Sequence, residues 1–220
     1  MTSAVLYFES SVGRKLVMAV TGIVLFGFVV GHMIGNLQVY LGPAALNHYA
    51  ELLRELGHGG LLWVVRAVLL AAVGLHIWAA VTLALENRAA RPERYRRLRH
   101  EASDYASRTM IWSGPLLAAF VVYHLLHLTV GSVHHDFVTG DVYHNVIAGF
   151  RVWPVAAFYI ACMLALGLHM YHGVWSMLQT LGLEHPRYNA WRRAAAAFFT
   201  LIVVIGNISI PVAVLTGVVR

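Results

Sequence analysis

Of 220 residues, 59% are hydrophobic and only 12% are charged, with a mean hydropathy of +0.67; a soluble domain carries about 25% charge, so the composition defines a membrane protein. The formal net charge of +6 does not point to nucleic acid, because the arginines cluster beside apolar runs, as topology signals do in a bilayer protein. The single cysteine, Cys162, lies in an apolar run and excludes an intrachain disulfide, a zinc-type cysteine cluster and a Cys-x-x-Cys-His attachment.

In chain order, the segment Met1 to Lys15 lacks the small-residue cleavage pattern of a signal peptide, so the first apolar run is expected to stay in the mature protein. That run, residues 16–41, predicts a first span, with Gly27, Gly31 and Gly35 at four-residue spacing and His32 as its ionisable residue. Pro43 and the Gly57-His58-Gly59-Gly60 breaker bound a connection that predicts a surface helix over 44–56. The second span, 61–85, holds His76, with Arg66 near its end able to snorkel. Residues 86–108 carry seven arginines, among them Arg91, Arg96 and Arg99, and form a solvated loop suited to topology, to a docked partner or to anionic membrane lipid.

The third span, 109–133, has Pro115 in its first turns and both His124 and His127. A polar loop with His134, His135, Asp136, Asp141 and His144 leads to the fourth span, 153–178, which holds His169 and His172. The fifth, 194–219, has no histidine; Asn207 and Pro211 are expected to bend it, and it reads as a packing helix. The expectation is one all-α domain over 1–220 with five transmembrane helices. Arg14, Lys15 and the arginine-rich loops fall on one side, which predicts a cytoplasmic N-terminus.

A buried imidazole in hydrocarbon must find a partner, since an unsatisfied polar group there costs several kcal/mol. His169 is followed one turn later by Gly173, which leaves room for a flat, wide group; a haem meets both demands. Taken alone, such a histidine is equally consistent with a helix–helix hydrogen bond. At 1.5 Å rise per residue, His32 and His124 lie roughly 25 and 22 Å from the inner edge, and His76 and His169 roughly 15 and 13 Å. Two layers result, His32 with His124 and His76 with His169. An internal repeat supports them: Thr21-Gly22 precedes His32 as Ser113-Gly114 precedes His124, and Gly74-Leu75-His76 matches Gly167-Leu168-His169. The repeat selects His124 over His127 and His169 over His172, and Ala80 answers Gly173 one turn past the other inner histidine.

The pattern Gly31-His32-Met33…Asn36, Gly74-Leu75-His76, Ser113-Gly114…Tyr123-His124 and His169-x-x-x-Gly173-Val174-Trp175-Ser176 resembles the two-haem cytochrome b anchor subunit of succinate:quinone oxidoreductases over nearly the whole chain. The resemblance implies two b haems, the first four helices forming the haem-binding bundle. His76 and His169 would be the axial iron ligands of a proximal haem and His32 and His124 those of a distal one. It further implies a flavoprotein subunit and an iron-sulfur subunit as partners, a membrane quinone as substrate, a bacterial cytoplasmic membrane and room for a higher oligomer of the complex. Succinate itself would react on another chain. Arg151 matches a family position beside the distal haem propionates, with Arg66 a second candidate, and Gly173 the position beside the proximal haem. His48 and Glu51 resemble a His-x-x-acid pattern in the family's first outer loop and would serve quinone protonation. Some members place a glutamate, linked to transmembrane proton movement, where this chain has Gly167. Electron flow toward the outer face gains about 2.3 kcal/mol per 100 mV, which suits a low-potential quinone such as menaquinone.

Two other readings compete. The membrane cytochrome of a hydrogenase or formate dehydrogenase is disfavoured by the spacing match. A metal-ion transporter would place carboxylates beside the intramembrane histidines, and these four have none near them. A cysteine placed near Arg96 should be unreachable by an impermeant thiol reagent outside intact cells; labelling there would reverse the inner and outer layers.

Overall fold

The computed structural model describes residues 10–90 and 105–220; the core of the arginine-rich loop, with Arg91, Arg94, Arg96, Arg97 and Arg99, lies outside the described residues. Every regular element described is helical: α1 (Ser11–Asn36), α2 (Pro43–Glu55), α3 (Gly60–Ala89), α4 (Tyr105–Leu125), α5 (Val142–Arg151), α6 (Trp153–Thr180) and α7 (Asn189–Leu215). A 3₁₀ turn, Leu37–Leu41, extends α1, a π-helical turn, Leu126–Val130, extends α4, and a further 3₁₀ turn, Pro186–Tyr188, leads into α7. Five of these units are long and apolar enough to cross a bilayer: Ser11–Leu41, Gly60–Ala89, Arg108–Val130, Trp153–Thr180 and Pro186–Leu215. The protein is thus an all-α, multi-pass membrane protein, as its composition requires.

Local chemistry sets the boundaries. The Ser10 hydroxyl accepts the Gly13 amide at 3.0 Å and starts α1. Pro43, pre-set for a first helical turn, starts α2 after Gly42 at φ +96°. The positive φ angles of Gly57 and Gly59 break the chain before α3. Trp63, Trp112, Trp153 and Trp191, each more than two-thirds exposed, sit near the starts of the second to fifth spanning helices, where an indole ring suits the membrane–water interface. The surface helix falls at Pro43–Glu55, one residue from its expected range.

Two expectations need correction. The polar stretch before the fourth span contains α5, because Asp141 caps it by accepting the His144 amide at 2.9 Å and Ile147, Ala148 and Phe150 give it a buried face. The third span stops short of 133, because Gly131 takes a left-handed φ of +82° with the Phe137 ring packed over it. The fifth helix is continuous through Asn207 and Pro211; the Asn207 side-chain amide donates to the Val203 carbonyl at 2.8 Å.

α3 packs on α1, α4 on α6, and α1 on α6, giving a four-helix arrangement with α7 laid against α1 and α6. Close approach at α7 depends on two glycines. A Cβ on Gly167 would stand 2.8 Å from Val204, and one on Gly206 would overlap Met33. Phe26 and Phe199 meet edge to face at 6.1 Å, and Met33, Met170 and Val203 fill the seam. The larger buried core lies at the end where α1 finishes, and includes Val39, Leu46, Phe120, Ile147, Phe150, Tyr159 and Ile210.

That end is also tied by polar groups. The Asn47 amide donates to Asp141 Oδ1 at 2.9 Å while its oxygen accepts the Tyr143 amide at 2.9 Å, joining α2 to α5. These amides hold the Asp141 carboxyl below its ordinary range, the His144 amide first and the Asn47 side chain second. Asn145, 3% exposed, closes a ring with Val138, accepting its amide and donating to its carbonyl, both at 2.8 Å. Asn145→Ala leaves the Val138 amide without its acceptor, while the Val138 carbonyl keeps the Asp141 amide, and is expected to cost about 1–2 kcal/mol, read as a lowered midpoint of thermal unfolding in detergent; an unchanged midpoint would show that the loop draws no stability from this ring.

Candidate functional site

The structure brings the four singled-out histidines together in two pairs. The rings of His32 on α1 and His124 on α4 lie 5.8 Å apart, and those of His76 on α3 and His169 on α6 lie 6.3 Å apart. Each pair joins helices that are not chain neighbours, so the pairing is a product of the tertiary fold. Within the chain alone His76, His124 and His169 are half-buried and His32 is exposed. A Cβ on Gly173, one turn past His169 on the same face, would meet nothing within 4 Å. Of the Gly27, Gly31 and Gly35 series, only Gly35 takes a close neighbour, the Tyr49 ring.

Three of the four imidazoles have a hydroxyl against Nδ1, each from a different helix. Thr21 Oγ1 lies 3.0 Å from His76 Nδ1, Ser113 Oγ lies 3.4 Å from His169 Nδ1, and the Tyr159 hydroxyl lies 3.4 Å from His124 Nδ1. A ring nitrogen so occupied leaves Nε2 as the free nitrogen, the arrangement that metal-binding histidines adopt when a partner on the other ring nitrogen fixes the tautomer. His32 stacks instead on Phe28, at 5.3 Å and 18°.

The two histidines not chosen from the repeat have other surroundings. His127, 2% exposed, sits in the π-helical turn and meets the Tyr159 hydroxyl through Nδ1 at 3.0 Å. It stacks on His134 at 4.7 Å, and His134 on His135 at 5.2 Å. Gly149 permits this, since a Cβ there would stand 2.8 Å from His127 Cε1. His134 is held as the Nε2–H tautomer, donating to the Asn145 carbonyl at 2.8 Å and accepting the Asp136 amide at 3.0 Å. His172 lies edge to face with Trp175 at 6.3 Å.

The supporting positions stand apart from the pairs. Arg151 ends α5 with an exposed side chain and makes no hydrogen bond or ion pair among the described residues. Arg66 lies over the Trp63 ring at 4.8 Å and, with Arg54, lines a cavity of about 560 Å³ beside Thr129, Thr139 and Asn145. His48 and Glu51 are both exposed on α2. Thr21, Ser113 and Tyr159 were not among the expected site residues. The repeat marks Thr21 and Ser113 but ties them by spacing to His32 and His124, whereas their hydroxyls meet the other pair. Arg192 was also missed: it is 2% exposed, with Nε and Nη1 unpartnered.

Five membrane-length helices with imidazoles paired between non-adjacent helices define a polytopic membrane protein. Residues 84–208 match the family model described as the succinate dehydrogenase/fumarate reductase transmembrane subunit, which covers more than half of the chain. The chain belongs to that family and is a membrane anchor subunit of a succinate dehydrogenase or fumarate reductase. It matches no curated relative and no solved structure.

Proposed function

We propose that this subunit is of the two-haem cytochrome b type, a single transmembrane domain over 1–220 that carries electrons between an iron-sulfur subunit and a membrane quinone. The observation that carries this reading is the convergence of His32 with His124 and of His76 with His169, with hydroxyls on Nδ1 of three of them. Two metal–imidazole bonds of about 2 Å each, plus the distance from each nitrogen to its ring centre, require ring centres about 6 Å apart; the observed 5.8 and 6.3 Å fit. The open space at Gly173, one turn past His169, suits a wide planar group beside the His76/His169 pair.

When bound, haem supplies one-electron redox chemistry within the bilayer. This chain's residues hold and orient it: His76 and His169 at the inner pair, His32 and His124 at the outer one. The propionates need cations or hydrogen-bond donors. Arg151 and Arg66 are candidates at the outer pair. Arg192 lies at the end where α6 finishes, beyond the inner pair, and its unpartnered Nε and Nη1 suit a carboxylate. The flavoprotein and iron-sulfur subunits would dock on the cytoplasmic, arginine-rich side of a bacterial membrane.

His48 and Glu51, exposed three residues apart on α2, are suited to exchange protons with a quinone, of which menaquinone is favoured. Position 167 cannot take the glutamate that some family members carry, because α7 fills the space against Gly167. Proton uptake on the outer side is therefore assigned to the surface helix and not to a path through α6.

Two measurements test this. His32→Ala and His124→Ala should each lose the same haem, and His76→Ala and His169→Ala the other, in reduced-minus-oxidised spectra of the purified complex; loss on replacing His127 or His172, with His124 and His169 dispensable, would overturn the assignment. Glu51→Gln should lower quinone reduction by about 100-fold, the low end of a general acid–base contribution, with haem content unchanged; full activity would remove Glu51 from the mechanism.

A further inference from the structure

Resting on the haem reading above, we infer that Thr21, with Ser113 as its counterpart, is a positioning residue that fixes the tautomer and orientation of the inner histidine pair. Thr21 has one hydroxyl proton. Its Oγ1 lies 2.7 Å from the Val17 carbonyl and 3.2 Å from that of Met18, and a carbonyl only accepts, so the proton is committed to its own helix. What remains on Oγ1 is a lone pair, and it faces His76 Nδ1 at 3.0 Å. His76 Nδ1 must then carry its proton and donate it, which leaves the Nε2 lone pair free on the side of the ring away from α1. α1 thus dictates, through the Thr21 hydroxyl together with the Met18 carbonyl beside it, which nitrogen of an α3 imidazole can bind a metal.

The second hairpin repeats the device. Ser113 on α4 is buried, and its Oγ lies 3.4 Å from His169 Nδ1 on α6. Gly22 sits beside the contact in the first hairpin, where a Cβ would meet His76 Cε1 at an ordinary 3.8 Å. The Thr21-Gly22 and Ser113-Gly114 pairs of the repeat therefore serve the inner layer, one hydroxyl per hairpin. An acceptor on Nδ1–H makes an imidazole a stronger donor to iron. Stronger donation favours the oxidised metal, so removing the acceptor raises the midpoint potential.

The test uses the full membrane complex with Thr21→Val, which keeps the side-chain shape and deletes the hydroxyl, and with Ser113→Ala. Potentiometric titration and low-temperature EPR are read for each haem, identified by which signals vanish in His76→Ala and in His32→Ala. The expected result is an upward shift in midpoint potential and altered g values for the His76/His169 haem in both variants, with the other haem unmoved and Thr21→Ser restoring the wild-type values. Thr21→Val with both haems bound and neither potential nor g values changed would overturn the inference, as would a change confined to the other haem. If Thr21→Val loses the haem, recovery of haem and potential in Thr21→Ser supports the role and failure to recover overturns it. A wild-type complex without two haems would instead sink the underlying reading.

Discussion

An imidazole inside a bilayer has two nitrogens and no water, and most of this structure follows from satisfying both. One nitrogen needs a partner from the protein, and the other must face something that can use it. In three of the four cases a hydroxyl from another helix takes Nδ1, which constrains helix rotation as much as it constrains the ring. α1 must turn Thr21 toward α3, α4 must turn Ser113 toward α6, and α6 must turn Tyr159 back toward α4. The four-helix arrangement is in this sense held in register by its polar atoms, while its outer faces carry exposed apolar side chains such as Leu70, Leu85, Val122 and Leu164, suited to lipid.

The remaining stability comes from a different place. With lipid as apolar as leucine, helices in a bilayer gain little from hydrophobic contact and depend on close packing. The chain supplies it where α7 meets α1 and α6, at Gly167 and Gly206, and at the end where α2, α5 and the ends of the spans form a core of water-soluble character. One end is therefore clamped by Asn47, Asp141 and Asn145, and the histidine pairs hang between that clamp and the Arg14–Glu86 ion pair that joins α1 to α3 at the other.

Much of this was legible in the sequence because the bilayer makes composition decisive. Apolar runs and their breakers marked five spans where the structure has five membrane-length helices, and equal spacing in the two halves paired His32 with His124 and His76 with His169, whose rings lie 5.8 and 6.3 Å apart. Three things were not legible. α5 was hidden because His144 and Asp141 read as loop, although Asp141 is its cap and Ile147 and Phe150 its buried stripe. The π-helical turn shifts the face of His127 and cannot be read from a period of 3.6. The partners of Thr21 and Ser113 depend on which helices pack together, and spacing along one helix says nothing of that. A small hydroxyl beside a glycine, repeated in both halves, was nevertheless the available signal.

The repeat is broken at one point, and the break separates the two layers. Tyr159 stands ten residues before His169, and the position ten residues before His76 is Arg66. In the second half that position supplies the hydroxyl for His124; in the first half its side chain turns to Trp63 at the interface and gives His32 nothing. His32 is oriented instead by the Phe28 ring, a contact that fixes a plane but selects neither nitrogen. The inner pair is thus held by two hydroxyls in matched positions, the outer by one hydroxyl and one aromatic face. Two halves of common pattern have in this way become two unlike sites, with His32 the exposed, less constrained histidine.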